Sequence, residues 1–360
     1  MKPTRRDAAR FLLSIPASRL AFGATPPALF RYADPATEFP ITRLTDPEHA
    51  SVPAAFYNRG ISKHNFMLYA GDATGRFEAL RMDLKTGQSR QLTEAEKLHP
   101  GSLTLLPEDR GFCYLDGDRV MEAAMSGARV REVYRVSSGF EGSMLSVAED
   151  GLYAAVVERK SGRSRLQLVN MLKGSVVKLA ECDEEIRDPI TRPKRASVLY
   201  RRDNAAWLVN YDGTHDSRLK LAEGETGQVE WGPDGRTILY LNYPAEVAGR
   251  GQRHNLREFT PDTNDDKLVA TTTQFVGFGY NADASVFVGA SGSKASPYVL
   301  LLVRAVKREL TLAEHKASDP KMVAPWFSPN SQRVFFSSDR HGKQAIYVMS
   351  VEKLVDPTEG

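Results

Sequence analysis

The chain has 360 residues, of which 41% are hydrophobic and 26% charged, and its formal net charge is +3. This composition is typical of a soluble globular protein with one or two domains, and it does not indicate a function by itself. A net charge of +3 over this length is far below the concentrated basic surface of nucleic-acid-binding domains, so no nucleic-acid partner is predicted.

Residues 1–23 have the pattern of an export signal. Two adjacent arginines at positions 5 and 6 precede the apolar run 11–17, and small residues before Ala24 suit a signal peptidase. The paired arginines favour the twin-arginine route and predict a periplasmic or extracellular protein. A short amphipathic N-terminal helix is the alternative. No later segment has the ~18 apolar residues of a membrane helix, so no membrane span is predicted.

A repeated unit follows the leader 24–40 and an isolated strand-like piece at 41–45. Each repeat has a polar turn, often containing proline, aspartate or glycine, directly before an apolar β run. Steps of 46, 40, 46, 40, 48 and 48 residues separate the starts of successive runs. The seven runs are predicted to start at Phe66, Phe112, Leu152, Val198, Ile238, Val286 and Val334.

This period of ~40–50 residues, with several short strands per repeat, predicts an all-β fold, a seven-bladed β-propeller spanning 41–354 and followed by a tail, 355–360. The last repeat ends before its outer strand, and the isolated piece 41–45 is predicted to supply that strand. Pairing of the two chain ends would remove open sheet edges. A two-domain β-sandwich is the alternative. The sequence has no Gly-x-Ser-x-Gly elbow, so nothing in it indicates a serine hydrolase.

Cysteine and histidine spacing gives no metal or redox motif. Cys113 and Cys182 allow one disulfide or two thiols, and the apolar run around Cys113 favours a buried thiol. The seven histidines are scattered, with none two to four residues from another, so metal-ligand spacing is absent and each is predicted at the surface.

Several short segments, spread over most of the chain after the signal, match a known family of propellers. They read Ile-Thr-Arg-Leu-Thr at 41–45, Tyr-Ala-Gly-Asp at 69–72, Pro-Ile-Thr-Arg-Pro at 189–193, Trp-Leu-Val-Asn-Tyr-Asp-Gly at 207–213, Glu-Trp-Gly-Pro-Asp-Gly at 230–235 and Phe-Ser-Pro-Asn at 327–330. With these segments the chain resembles the oligogalacturonate lyase family of seven-bladed propellers, although some of them are shared with TolB-like propellers.

The resemblance implies β-elimination on acidic, pectin-derived oligosaccharides. A base removes the C5 proton of a uronate while a divalent cation, held by histidines and a glutamine, neutralises the carboxylate. At the family's ligand positions this chain has Gln228, Met322, Ala324 and Asp319, and Asp188 replaces a further family histidine. We therefore predict no metal ligands and no cofactor, with Mn²⁺ bound only if the family site is retained in an altered form.

The resemblance also gives candidate site residues. Arg165 matches the arginine proposed as the family's base, and it is the predicted catalytic residue. Arginines pair well with sugar carboxylates, and tryptophans stack on sugar rings. The predicted substrate-binding residues are Arg192, Arg201, Arg202, Gln228, Trp231 and Trp326. As an alternative, the arginines are a solvated surface run and the tryptophans belong to the core.

The sequence thus predicts an oligogalacturonate lyase-like protein that acts on or binds acidic oligosaccharides, by β-elimination if it is active. Whether it is an enzyme stays open, because the family's histidines are replaced. The alternative is a non-catalytic TolB-like propeller that binds a protein or a sugar. A third possibility is a carbohydrate-active enzyme that uses other residues in the same funnel.

Overall fold

The computed structural model describes residues 24–25, 28–137, 139–246 and 252–355. The predicted export signal 1–23 and residues 356–360 of the predicted tail lie outside the described residues. Seven antiparallel sheets of four or five strands follow one another along the chain. The protein is a seven-bladed β-propeller, as the repeat period predicted.

Three strands precede the first blade: β1 (Ala24–Thr25), β2 (Phe30–Ala33) and β3 (Pro40–Arg43). Blade one contains β4 (Ser51–Pro53), β5 (Phe66–Gly71), β6 (Glu78–Asp83) and β7 (Ser89–Gln91). Blade two contains β8 (Thr104–Leu105), β9 (Gly111–Asp116), β10 (Arg119–Ala124) and β11 (Val130–Arg135). Blade three contains β12 (Glu141–Val147), β13 (Tyr153–Lys160), β14 (Arg163–Asn170) and β15 (Val176–Cys182).

Blade four contains β16 (Ile186–Thr191), β17 (Ser197–Arg202), β18 (Ala205–Asn210) and β19 (Ser217–Arg218). Blade five contains β20 (Glu225–Trp231), β21 (Ile238–Tyr243), β22 (His254–Thr260) and β23 (Asp265–Thr272). Blade six contains β24 (Phe275–Tyr280), β25 (Val286–Ser291), β26 (Tyr298–Val303) and β27 (Arg308–Glu314). Blade seven contains β28 (Trp326–Phe327), β29 (Arg333–Ser338) and β30 (Ala345–Ser350).

The described residues include little helix. Three short 3₁₀ helices and one α-helical turn connect or follow strands: Pro100–Ser102, Pro107–Asp109, Pro320–Val323 and α1 (Glu352–Val355). No helix in the described ranges is long and apolar enough to cross a membrane.

The second strand of each blade is packed between the neighbouring blades and therefore carries apolar residues on both faces. In β5, β9 and β25 every residue is buried. All seven predicted β runs begin within one residue of an observed second strand. The repeat was visible in the sequence because this local apolar run recurs once per blade.

The two chain ends share the sheet of blade seven. β3 pairs antiparallel with β30, with Ile41 opposite Met349, and β2 lies outside β3. The predicted leader 24–40 therefore contributes strands, which extend the propeller before residue 41. Phe30 in β2 lies 5.3 Å from the guanidinium of Arg43, and Tyr32 accepts a hydrogen bond from Arg340 at 2.9 Å.

The two faces of the propeller have different connections. Turns that join the first and second strands of each blade lie on what we call the hairpin face. Loops that join the second and third strands, and loops between blades, lie on the opposite crossover face. The first strands surround the central channel. Cys113 and Cys182 are free thiols, and burial raises the pKa of the Cys113 thiol, as expected for a core cysteine.

Candidate functional site

The long connection of blade one crosses the central channel. Residues 54–60, called the channel segment, link β4 to the next turn. Asn58 donates a hydrogen bond to the carbonyl of Leu145 in blade three at 2.8 Å. Arg59 donates to the carbonyl of Leu105 in blade two at 2.7 Å. The rings of Phe56 and Tyr57 pack against the core between blades four and five. One segment therefore connects blades on several sides of the channel.

Three guanidinium groups lie around one carboxylate on the crossover face. Arg187 in β16 is directly opposite Arg201 in β17. Arg159, at the end of β13, pairs with Glu185 at 2.8 Å and donates to the carbonyl of Ile186 at 3.1 Å. All three arginines act electrostatically on Asp188. We call Arg159, Arg187 and Arg201 the arginine cluster.

Each arginine of the cluster has a buried Nε atom without a hydrogen-bond partner among the residues that the structure describes. Glu185 lies 3.7 Å from the Nε of Arg187, which is longer than a hydrogen bond. Buried guanidinium donors normally have partners, and three such donors on neighbouring arginines make this cluster the candidate site for an acceptor-rich anion.

The backbone at Asp188 is unusual. Its φ is +48°, in the left-handed region, and the register between β16 and β17 shifts between Arg187 and Ile190. This register shift is a β-bulge. A bulge changes the direction of the neighbouring side chains, and bulges are frequent beside functional sites. Asp188, at the position where the resemblance places a histidine, lies within electrostatic reach of all three guanidinium groups.

Burial and charge shift the pKa values in this region. Burial raises the pKa of Asp188, and Arg201 and Arg187 oppose that shift. Burial lowers the pKa of Arg201, which Asp188 partly offsets. His99 extends beside Arg159 on the same face, where burial and the nearby guanidinium lower the pKa of its imidazole. The cluster therefore combines fixed positive charge with a neutral imidazole near pH 7.

The structure separates the predicted substrate-binding arginines. Arg192 follows the end of β16 on the hairpin face, and its Nε donates to the carbonyl of Gly235 at 2.7 Å. Its guanidinium covers the ring of Trp231 at 4.5 Å, and Trp231 is only 2% exposed. Arg201 lies at the other end of the same hairpin. Arg192 and Trp231 are thus core residues, and they lie on the opposite face from the arginine cluster.

Arg202 and Arg165 lie outside the channel. Arg202 pairs with Glu184 at 2.8 Å and stacks on Trp207 at 4.9 Å, in a side groove of about 810 Å³ between blades four and five. Arg165, in the third strand of blade three, pairs with the fully buried Glu158 at 2.6 Å and covers Phe140 at 3.6 Å. Its guanidinium is held in this network, away from the arginine cluster.

Gln228 connects two blades. Its amide donates to the carbonyl of Phe278 at 2.8 Å and accepts from the backbone N–H of Phe278 at 3.0 Å. The same amide nitrogen lies 3.3 Å from a carboxylate oxygen of Glu230. Both polar ends of Gln228 are therefore used within the protein.

A cavity of about 350 Å³ lies between the channel segment and the first strands of blades five to seven. Turns of the hairpin face form its mouth. Trp326 lines this cavity and stacks on Phe335 at 5.6 Å. Glu230, in strand β20, also lines it; the sequence did not reveal this residue because nothing in the motif Glu-Trp-Gly-Pro-Asp-Gly shows that its carboxyl reaches a cavity. We call this space the hairpin-face cavity.

Comparisons with known proteins identify similar chains. An oligogalacturonide lyase of Pectobacterium atrosepticum is 24% identical over 89% of this chain and 95% of its own length. An oligogalacturonate lyase of Dickeya dadantii is 23% identical with the same coverage of both chains. No protein-family model matches the chain.

Solved structures of such enzymes share the fold. An oligogalacturonate lyase in complex with manganese superposes with a TM-score of 0.84 at 22% identity, covering 91% of this chain and 97% of its own. The oligogalacturonate lyase of Vibrio parahaemolyticus gives a TM-score of 0.83 at 23% identity, covering 92% and 98%. The chain resembles the oligogalacturonate lyases over nearly its whole length.

The residues present do not fit the manganese of an oligogalacturonate lyase. Gln228 is bonded to Phe278 through both ends of its amide, Ala324 has no side-chain donor, and the carboxylate of Asp319 accepts from the backbone of Lys321 at 2.9 Å. Within the described ranges, no group of three or more histidine, cysteine, aspartate or glutamate side chains is placed to hold a metal ion.

His315 is the histidine closest in sequence to the family's His-x-His position. It is fully buried, lies 3.0 Å from the carbonyl of Ser291 through Nε2, and accepts from the backbone N–H of Ala317 at 3.1 Å. The prediction that every histidine is at the surface is therefore wrong for His315. Both ring nitrogens are hydrogen-bonded to backbone groups of the crossover face, so neither is available as a metal ligand in place of the family's histidines.

Proposed function

We propose that this oligogalacturonate lyase-like protein binds acidic, uronate-containing oligosaccharides on its crossover face, without manganese. The observation that supports this proposal is the arginine cluster with its three unpartnered Nε donors in the described part of the chain. A uronate carboxylate has two oxygens that can accept N–H donors in pairs, which matches guanidinium geometry. Three carboxylates, Asp188, Glu185 and Glu225, act on the three guanidiniums, so the unpartnered Nε donors, and not the net charge, support an anion site.

A longer oligosaccharide could extend from the arginine cluster into the neighbouring side groove. Arg201 donates to the carbonyl of Thr226 at 2.7 Å, and Thr226 also lines the side groove that contains Arg202 and Trp207. In this groove Arg202 stacks on Trp207 and pairs with Glu184, and a guanidinium beside an aromatic ring can contact both the carboxylate and the ring of a sugar acid. We therefore infer that one uronate binds at the cluster and a neighbouring sugar extends toward the groove.

The experiment is calorimetric titration of the purified protein with trigalacturonate, with neutral maltotriose as the size-matched control. We expect saturable binding of trigalacturonate that weakens as salt is raised, because screening reduces charge attraction. Maltotriose should show no saturation. Equal binding of both sugars, or of neither, would contradict the proposal.

Metal-independent β-elimination is the second candidate function. The arginine cluster can neutralise a uronate carboxylate, and the neutral imidazole of His99 beside it is a candidate base for the C5 proton. Unsaturated product is detected by its ultraviolet absorbance. Activity that persists in EDTA and disappears in His99→Ala would support this candidate. No product, with trigalacturonate still bound, would leave binding as the function.

We also propose that the protein is exported, since residues 1–23 carry the twin-arginine pattern. Fusing 1–23 to a reporter that is active only after export tests this. Replacement of both Arg5 and Arg6 by lysine should abolish the reporter signal, whereas an unchanged signal would contradict the twin-arginine route.

A further inference from the structure

The hairpin-face cavity has a chemistry unlike that of the arginine cluster. Aromatic residues from three parts of the chain line it: Phe56 from the channel segment, Phe278 and Tyr280 from blade six, and Trp326 from blade seven. Glu230 of blade five is the acidic group on the side of the wall formed by blades five to seven, and Glu108 and Asp109 line the opposite side. Apolar pockets with one or two convergent polar groups are the usual form of small-molecule sites.

Glu230 has no ion-pair partner among the residues that the structure describes. Its neighbours are neutral: the amide of Gln228 lies 3.3 Å away, and the hydroxyl of Tyr280 is nearby and also donates to the carbonyl of Trp231 at 2.6 Å. Burial raises the pKa of Glu230 to about 8, and hydrogen bonds from Gln228 and Tyr280 oppose the shift. A carboxyl in such surroundings gains most from a cation supplied by a ligand.

Four other charged residues line the cavity, and two of them, Arg59 and Asp109, are bound to neighbouring groups. Arg59 donates to the carbonyl of Leu105 at 2.7 Å. Asp109 accepts from Ser62 and lies 2.8 Å from the imidazole of His64. Lys63 and Glu108 stand at the rim with opposite charges. These groups approach from blades one and two, whereas Glu230 belongs to the far wall in blade five.

We propose that the hairpin-face cavity binds a small organic ammonium, with Glu230 as its counterion and the aromatic wall around its apolar part. Aromatic faces attract cations, and a desolvated carboxylate adds a direct charge pair. The cavity of about 350 Å³ has room for about ten heavy atoms, at the roughly 30 Å³ that one water-sized group occupies in a liquid. An ammonium joined to one aromatic ring fits this volume.

This site is distinct from the proposed carbohydrate site and does not depend on it. The channel segment lies between them, with Tyr57 acting electrostatically on Asp188 while Phe56 lines the cavity. The cavity wall also includes Ala324, one of the positions where the resemblance places a metal-binding histidine. At this position the chain has an alanine, beside a space where Glu230 can hold an organic cation.

Binding at neutral pH releases a proton. The protonated carboxyl of Glu230 meets a charged ammonium, its O–H proton leaves to solvent, and a carboxylate–ammonium pair remains. Affinity should therefore rise with pH up to the region near 8 where Glu230 ionises by itself. The ammonium must stay protonated in that range, as primary alkyl amines do.

The test is titration of the full-length protein with 2-phenylethylammonium, followed by calorimetry and by tryptophan fluorescence. Two probes of matched size, 2-phenylethanol and phenylacetate, serve as neutral and anionic controls. We expect saturable binding of the ammonium alone, an affinity that rises about tenfold per pH unit between roughly pH 6 and 7, and about one proton released per ligand in buffers of different ionisation enthalpy.

The variant Glu230→Gln should lose this binding, whereas Glu48→Gln, an exposed change elsewhere, should keep it. Because Glu230→Gln replaces a half-buried carboxyl, which is protonated at neutral pH, by a neutral amide, its melting temperature should stay at or above that of the parent. Unchanged trigalacturonate binding by Glu230→Gln separates this site from the arginine cluster. Equal binding of 2-phenylethanol, no saturable binding, or unchanged affinity in Glu230→Gln would overturn the proposal.

Discussion

Gln228 and Phe278 exchange two hydrogen bonds between blades five and six, at 2.8 Å and 3.0 Å. A side-chain amide thus pairs with the backbone of the neighbouring blade as another strand would. Gln228→Ala would leave the N–H and carbonyl of Phe278 without these partners inside the channel. We expect a loss of about 1–3 kcal/mol in the free energy of unfolding, measured by urea denaturation. Gln88→Ala, an exposed substitution, should cost less than about 0.5 kcal/mol, and equal losses would contradict a bridging role.

Manganese should not stabilise the protein. At the family's metal-ligand positions, the side-chain atoms that could bind a metal are either hydrogen-bonded within the chain or absent. The folded state therefore offers no preferred site for the ion. We expect the melting temperature to be the same with added Mn²⁺ and with EDTA. A rise that saturates with Mn²⁺ and is reversed by EDTA would show that the chain holds the metal through other residues.

The arginine cluster should dominate binding of acidic sugars. Arg187→Ala and Arg201→Ala each remove a charge-assisted hydrogen bond worth about 1.5–3 kcal/mol, so each should weaken trigalacturonate binding about 10- to 150-fold. Arg195→Ala is the matched control. That arginine is half exposed on the hairpin face, where it pairs with Asp262 at 2.9 Å. Equal effects of all three substitutions would indicate attraction by overall charge rather than a cluster.

The pH dependence of stability should contain a contribution from Glu230. Its pKa is about 8 in the fold and 4.5 when unperturbed, so between these values the folded state holds a proton that the unfolded state has released. The stabilisation is fully present below pH 4.5 and is lost as the pH rises through 8.

This contribution has a slope of up to about 1.4 kcal/mol per pH unit. As the pH rises from 5 to roughly 8, the free energy of unfolding of Glu230→Gln should therefore fall less than that of the parent protein. Urea denaturation at several pH values measures both. Glu48→Gln should follow the parent curve. Parallel curves for the parent and Glu230→Gln would show that this carboxyl titrates normally.

The shared sheet of the chain ends should be essential for folding. A chain that starts at residue 29 keeps β2 and β3, whereas one that starts at residue 45 exposes the edge of β30. We expect the first to unfold cooperatively near the parent melting temperature and the second to aggregate or lose cooperativity, because an open apolar edge strand invites intermolecular pairing. Light scattering and thermal denaturation measure both. Similar behaviour of the two chains would mean that β3 is dispensable.

The sequence by itself determined the architecture. The second strand of every blade is buried between its neighbours, so the same apolar run recurs once per repeat and gives its position to within one residue. The segments Ile-Thr-Arg-Leu-Thr and Glu-Trp-Gly-Pro-Asp-Gly showed the resemblance to the family in the same way, because the strands and turns that they form are local structures encoded by neighbouring residues. The residues at the family's metal-ligand positions, Gln228, Met322 and Ala324, could also be identified from the sequence alone.

Only the tertiary structure decided which residues form a site. Arg192 and Arg201 are close in sequence, but they lie at opposite ends of one hairpin and therefore on opposite faces of the propeller. Arg159 joins Arg201 from another blade, a contact that no local pattern predicts. The environment of Glu230 depends on aromatic residues from three other parts of the chain. Whether a side chain is buried, and on which face of the propeller it lies, depends on the closed ring, because the ends of strands from different blades come together only when all seven blades surround the channel.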